Sequence, residues 1–195
     1  FGSYVAQRTD ISLEQHRAYN AKIKQQLIDA GFDVPMFTSD GSWLFEGGST
    51  PNALPTANGE SNIENLKRVV NKYHNNQGPY MVAEFYSGWL SHWAEPFPQT
   101  DASSLARQTE EYLKNDVSFN FYMVHGGTNF GFTSGANHYE RFAPDVTSYD
   151  YDAMLTECGD ITPKYMAVRE VIKKHIGEEL REIPANREKK AYGKF

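Results

Sequence analysis

Four short apolar runs alternate with four segments of helical period, and this alternation restricts the fold more than any other feature of the chain. The runs are "VPMFTS" (34–39), "ALPTAN" (53–58), "YMVAEF" (80–85) and "SFNFYMV" (118–124), each too brief for a helix. In "SLEQHRAYNAKIKQQLIDAG", Tyr19, Ile23 and Leu27 recur at i+4, Ser12 and Gln15 fit a capping box, and Gly31 suits the stop. In "SNIENLKRVVNKYHNNQG", Ser61 and Glu64 fit a second capping box, and Ile63, Leu66, Val70 and Tyr73 line one face. A third helix follows Asp101 and carries Leu105, Tyr112 and Leu113. The fourth, "TPKYMAVREVIKKHIG", has Thr162 as N-cap, Pro163 at its first position and Gly177 as its stop. The order helix, strand, strand, helix, strand, helix, strand, helix predicts parallel β-α units. The first two strands are joined by "DGSWLFEGGSTPN", with room for only a turn or two of helix.

Four such strands make either a small open α/β sheet or half of an eight-stranded barrel, which typically needs roughly 250 residues. The 195 residues and their periodicity leave both open. Other classes are easier to exclude. Lys plus Arg number 19 against 25 Asp plus Glu, and no basic stripe offsets the formal charge of −6, so no nucleic-acid partner is expected. Cys158 is the single cysteine, which rules out an internal disulfide or a cysteine metal cluster. The six histidines (16, 74, 92, 125, 138 and 175) show no ligand spacing, and His16, His74 and His175 fall on predicted helices as surface or packing residues. No metal and no membrane span are expected. The chain opens "FGSY" without an initiator Met and reads as a piece of a longer protein, with "REIPANREKKAYGKF" as a tail or linker.

Chemistry is expected at the C-terminal strand ends, where β/α folds place their sites. These ends carry Thr38, Ser39 and Asp40, then Asn58 and Glu60, then Glu84 and Tyr86, then Tyr122 followed by "HGGTNFG". Long segments follow the last two strands, 86–100 and 125–161, and loops beyond about 12–15 residues in a compact domain are usually functional. The aromatics (12 Tyr, 12 Phe and 3 Trp) gather in residues 80–97 and 119–151, which suits stacking on sugar C–H faces as well as core packing. Glu84 stands out because it lies inside an apolar strand among Ala83, Phe85, Tyr86 and Trp89, where a charge is costly unless paired or used. By position alone such a Glu is more often a satisfied structural carboxylate than a catalyst, and nearby Tyr and Trp are more often packing.

The fragments together are less generic. "TSDG", "GPYMVAEFYSGWLSHWAEP", "NFYMVHGGTNFGFTSGAN" and "TSYDYDAMLTECGDITPKYMAVREVI" occur in order, and with them the chain, to about residue 177, resembles glycoside hydrolase family 35, the β-galactosidases. The resemblance implies a (β/α)8 TIM barrel of which this chain covers about strands 5 to 8. Residues 1–177 would be the C-terminal half of the catalytic barrel, and 178–195 a tail or linker towards a following domain. It implies hydrolysis of terminal β-linked galactose with retention, on a β-galactoside oligosaccharide or glycoconjugate, without a cofactor. The nucleophile would be Glu84, in the motif "EFYSGW", with Tyr122 hydrogen-bonding near it. Tyr86, Trp89, Tyr149 and Tyr151 would line the galactose pocket.

The family's acid/base is the last Glu of a Q-x-E-N-E motif that is followed by Phe or Tyr and then Gly. "FGSY" therefore resembles the start of a chain just past that residue, and this polypeptide alone is expected to be inactive until the N-terminal half of the barrel completes the site. Neither Asp40 nor Glu60 is assigned the acid/base role. The family is generally extracytoplasmic or lysosomal, so a secreted, periplasmic or lysosomal parent is expected. Two alternatives remain: a same-fold enzyme with another β-glycoside specificity, and a carbohydrate-binding descendant that has lost catalysis.

Overall fold

Ser12 opens the first helix, α1 (Leu13–Asp29), by the reciprocal bonds of a capping box: its Oγ accepts from Gln15 N at 3.1 Å and the Gln15 side chain accepts from Ser12 N at 2.9 Å. The computed structural model describes residues 10–131, 133–177 and 179–193. The "FGSY" opening and Glu178, where the expected domain division falls, lie outside the described residues. After α1 come β1 (Phe37–Gly41), a 3-10 turn (Ser42–Leu44) with the short α2 (Phe45–Gly48), β2 (Leu54–Asn58) and α3 (Ile63–Tyr73). Then follow β3 (Tyr80–Tyr86), α4 (Ala102–Lys114), β4 (Val117–Tyr122), a hairpin of β5 (Ala136–His138) and β6 (Phe142–Pro144), and α5 (Pro163–Ile176).

One expected cap is corrected. α3 is capped by Asn62, whose Oδ1 accepts from Asn65 N at 3.0 Å, and not by Ser61. The Glu60 carboxylate accepts from Asn62 N at 2.8 Å, which holds the chain extended through Ser61 and moves the helix start one residue on. At the far end, Gly177 closes α5 in the left-handed region at φ +68, as its position suggested.

The chain divides into two compact units. The first comprises the described residues to Phe85 together with Glu111–Tyr122. It holds a parallel sheet in the order β1-β2-β3-β4. Leu66, Val69 and Val70 of α3 are buried, as are Phe45, Ala57, Val82, Phe85, Tyr112 and Val117. Each large apolar side chain so buried contributes about 1.5–3 kcal/mol of transfer free energy. The α1 stripe behaves otherwise, for Tyr19, Ile23 and Leu27 remain 39–51% exposed, and Phe37 of the edge strand β1 is 57% exposed.

The second unit comprises Tyr86–Glu110 and the described residues from Met123 onward. Here the long segment after β4 is not structureless, since it forms the β5–β6 hairpin, which the sequence did not announce. The described residues beyond α5 form no regular element but are tied back: Asn186 Oδ1 accepts from Ile161 N at 2.9 Å, and Lys189 pairs with Asp160 at 2.7 Å. No helix among the described residues is long and apolar enough to cross a membrane.

Candidate active site

In the first unit the face on which Glu84 lies is fixed by its neighbour. Phe85 meets Tyr112 edge-on (4.9 Å between centroids), stacks on Phe121 (4.9 Å) and touches Phe119 (5.8 Å). Side chains alternate along a strand, so packing Phe85, Phe119 and Phe121 together turns Glu84, Asn120 and Tyr122 to the opposite face. Asn58 is the register partner of Glu84 across β2 and β3, and Ser39 Oγ donates to Asn58 Oδ1 at 2.7 Å. The outcome is a polar row along the strand ends: Ser39, Asn58, Glu84, Asn120 and Tyr122. Asn120 braces it by donating from Nδ2 to the Ala83 carbonyl at 3.1 Å.

The register between β2 and β3 shifts by one residue just before Asn58 and Glu84. Such irregularities redirect side chains and are frequent beside active sites. Glu84 is half-buried between the buried Ala83 and Phe85, and its carbonyl accepts from Gly59 N at 2.8 Å. The Phe85 ring packs in the core on the side of the sheet away from the carboxylate.

Two other strand-end carboxylates are placed elsewhere. Asp40 is one residue beyond Ser39 and so on the other face, 2% exposed, with its carboxyl against Gly48. Glu60 receives Ser42 Oγ, Asn65 Nδ2 and Asn62 N, a set of donors that makes it a structural link between β2 and α3. Within the four strands Glu84 is therefore the one carboxylate on the polar-row face.

In the second unit the remaining sequence candidates form one chain of rings. Tyr86 and Trp89 meet edge-on at 5.4 Å, Trp89 and Tyr151 lie 6.2 Å apart, and Tyr151 and Tyr149 lie 5.2 Å apart. The glycines explain how the backbone brings them together. A Cβ on Gly88 would fall 1.8 Å from the Tyr151 carbonyl oxygen, and one on Gly126 would fall 1.8 Å from that of Tyr149. "HGGTNFG" is laced to the segment before Tyr149: Tyr149 N donates to Gly127 O (2.9 Å), Asn129 N to Thr147 O (2.7 Å), and Thr128 and Ser148 both donate to Glu157. Those two hydroxyls hold the Glu157 carboxyl below its ordinary pKa. Phe132, directly after this run, lies outside the described residues.

Two clusters that sequence reasoning missed hold the loop after β3. Buried Lys164 donates to the Ser87 carbonyl at 2.9 Å and pairs with Asp152. His92, 6% exposed, faces Glu95 Oε2 at 3.0 Å through Nδ1, and Asn137 Oδ1 at 2.8 Å and Asp145 Oδ1 at 3.3 Å through Nε2. Two carboxylates and an amide thus surround the ring, an arrangement that favours its protonated form. The hydrogen bond to Asn137, followed by the bond and charge of Glu95 and the charge of Asp145, raises the imidazole pKa against the effect of burial. Lysine inside a TPK helix start and histidine in "SHWAEP" carry no spacing signal, because each also needs a partner far off in sequence, Ser87 77 residues from Lys164 and Asn137 45 residues from His92.

The first unit is thus a parallel β/α sheet with one carboxylate on its polar-row face, and the second holds loops rich in tyrosine and tryptophan. The chain belongs to glycosyl hydrolases family 35, whose family model matches residues 7–175. It is 38% identical over 182 residues to a beta-galactosidase of Xanthomonas manihotis, covering 89% of this chain and 30% of that protein. It is 40% identical over 174 residues to beta-galactosidase 17 of Arabidopsis thaliana (84% and 25%) and 38% identical over 167 residues to a beta-galactosidase of Mus musculus (84% and 26%). The chain thus spans about a quarter to under a third of the length of these relatives.

Proposed function

We infer that the chain is the C-terminal half of a (β/α)8 barrel, strands 5 to 8, of a retaining exo-β-galactosidase, with Glu84 as its nucleophile. The observation that carries this reading is Glu84 itself, the one carboxylate on the polar-row face of the four strands, inside the "EFYSGW" motif. A Glu84 carboxylate oxygen attacks the anomeric carbon while the glycosidic C–O bond breaks. The leaving oxygen takes a proton from a second carboxyl group, which the N-terminal half of the barrel supplies. That group then deprotonates a water, the water attacks the same carbon, and Glu84 departs as carboxylate. Retention requires the two carboxyls about 5–5.5 Å apart. Tyr122, on the Glu84 face of the adjacent strand, orients the nucleophile, and Tyr86, Trp89, Tyr149 and Tyr151 wall the galactose.

The exposed stripe of Tyr19, Ile23 and Leu27 beside the edge strand β1 supports this reading, since a sheet edge with an uncovered apolar helix face is where a preceding β/α unit adds. Residues 1–177 would be the barrel half and 178–195 the lead into a following domain, in a parent that acts outside the cytoplasm or in the lysosome on β-galactoside oligosaccharides or glycoconjugates.

The test is to treat the full-length protein with a 2-deoxy-2-fluoro-β-galactoside bearing a good leaving group, then digest it and weigh the peptides. The label is expected on the peptide containing Glu84, and Glu84→Gln should lower kcat about a thousandfold or more. A label on a different carboxylate, or turnover retained in Glu84→Gln, overturns the assignment. Galactose binding without turnover by the wild-type protein makes the chain part of a binding descendant instead.

A further inference from the structure

Lys164 stands where neither burial nor the helix favours a cation. It is the second residue of α5, at the end where the helix dipole is positive, and it is 5% exposed. Its ammonium has three protons and three acceptors: the Ser87 carbonyl at 2.9 Å, the Asp152 carbonyl at 2.5 Å and the Asp152 carboxylate. The same Asp152 oxygen accepts from Thr100 N at 2.6 Å, and the Thr100 hydroxyl lies 2.8 Å from the Ser87 carbonyl. Lys164 is thus the centre of a closed network that joins the start of the loop after β3, the end of that loop, and the Tyr151–Asp152 step.

The backbone that this network holds is strained. Tyr151 (φ +64) and Asp152 (φ +48) are consecutive non-glycine residues in the left-handed region, which persists only where surroundings over-determine it. One residue from the Ser87 anchor is Gly88, pressed against the Tyr151 carbonyl, and the next is Trp89. One residue from the Asp152 anchor is Tyr151, and the Trp89 and Tyr151 rings lie 6.2 Å apart at a 41° tilt.

We propose that Lys164 is a positioning residue for galactoside recognition, fixing the Trp89 and Tyr151 rings relative to each other through Ser87 and Asp152. This rests on the reading of those rings as walls of the galactose pocket. A lysine that served only the fold would lower the amount of folded enzyme and leave the affinity of the surviving molecules alone. A positioning lysine changes affinity, because ring faces displaced by about an ångström no longer meet the sugar.

The experiment compares the full-length wild-type protein with Lys164→Met and with Thr100→Val, which weakens the same network from an exposed position without stranding a buried charge. The readouts are KM and kcat on a chromogenic β-galactoside, kcat being referred to active sites counted with the fluorogalactoside, and the inhibition constant of free galactose. In Lys164→Met, KM and the galactose constant should rise together by about tenfold, with a smaller rise in the same direction for Thr100→Val. If Lys164→Met does not fold, Thr100→Val decides alone. Unchanged KM and galactose affinity in the variants, with an active wild type, overturn this inference alone. A wild type that neither turns over the glycoside nor binds galactose overturns the functional reading and this inference with it.

Discussion

Gly88→Ala puts a single methyl group where the structure has no room for one. The added Cβ would lie 1.8 Å from the Tyr151 carbonyl oxygen, 2.9 Å from its carbon and 3.0 Å from Asp152 Cβ. Relief to even 3.0 Å requires one backbone to move by 3.0 − 1.8 = 1.2 Å, and neither can move alone. The Ser87 side is held by its Oγ on Met123 O (2.6 Å) and by Lys164 on its carbonyl, and the Tyr151 side by the Lys164–Asp152 pair. Overpacking against side chains costs about 1–3 kcal/mol, and against two anchored backbones the upper end, about 3 kcal/mol, is expected. Whatever strain is not lost as stability becomes displacement of Trp89 and Tyr151. Thermal unfolding and steady-state kinetics of the full-length variant measure both. A melting temperature lower by several degrees, with KM raised about tenfold, is the expected pair. A variant that melts with the wild type and keeps its KM refutes the close approach and the rigidity attributed to this loop.

Two further outcomes follow from the same structure. His92 has its pKa raised in the fold, so its contribution is fully present below the ordinary imidazole value of 6.5 and is lost as pH rises through the higher folded value. Hydrogen exchange in residues 91–97 and 142–145 should therefore quicken from pH 6 to 8 in the wild type more than ordinary base catalysis accounts for, an excess absent in His92→Gln; equal pH dependence in the two proteins rejects the imidazolium latch among Glu95, Asn137 and Asp145. In α3, Asn62→Ala should cost about 1 kcal/mol in denaturant unfolding, and an unchanged unfolding midpoint would show that Asn62 does not cap the helix.

Much of the fold was legible because its signals are local. Caps at Ser12 and Thr162, the Gly177 stop and the i+4 apolar rows each act within one or two turns, and the structure places these elements within a few residues of expectation. The cap of α3 failed for a nearby but tertiary reason: Glu60 is drawn into the Ser42 and Asn65 cluster and takes the Asn62 N–H with it. The β5–β6 hairpin was missed because each strand has only three residues, too few for period 2 to register. Of the candidate site, Glu84 and the tyrosines were legible by type and motif. Which way Glu84 faces was not, since that depends on Phe85 finding Tyr112, Phe119 and Phe121 across the sheet.

Four departures from local preference bear on the candidate residues and the loops that hold them. A carboxylate sits inside an apolar strand at Glu84, a buried cation at a helix N-terminus at Lys164, left-handed non-glycine residues at Tyr151 and Asp152, and a buried histidine between two carboxylates at His92. Each would weaken a chain selected for stability alone, and natural sequences confine such conflicts to places where something other than folding is selected. Three of the four hold the loops that follow β3 and β4, and the fourth is the strand-end carboxylate of β3 itself. A purely structural origin predicts that replacing the Lys164–Asp152 pair with apolar residues of similar volume is neutral or stabilising, as for many buried ion pairs. For a retaining glycosidase the same replacement stabilises the fold and still weakens galactose binding, so stability and affinity move in opposite directions. That divergence separates a residue kept for packing from one kept for function.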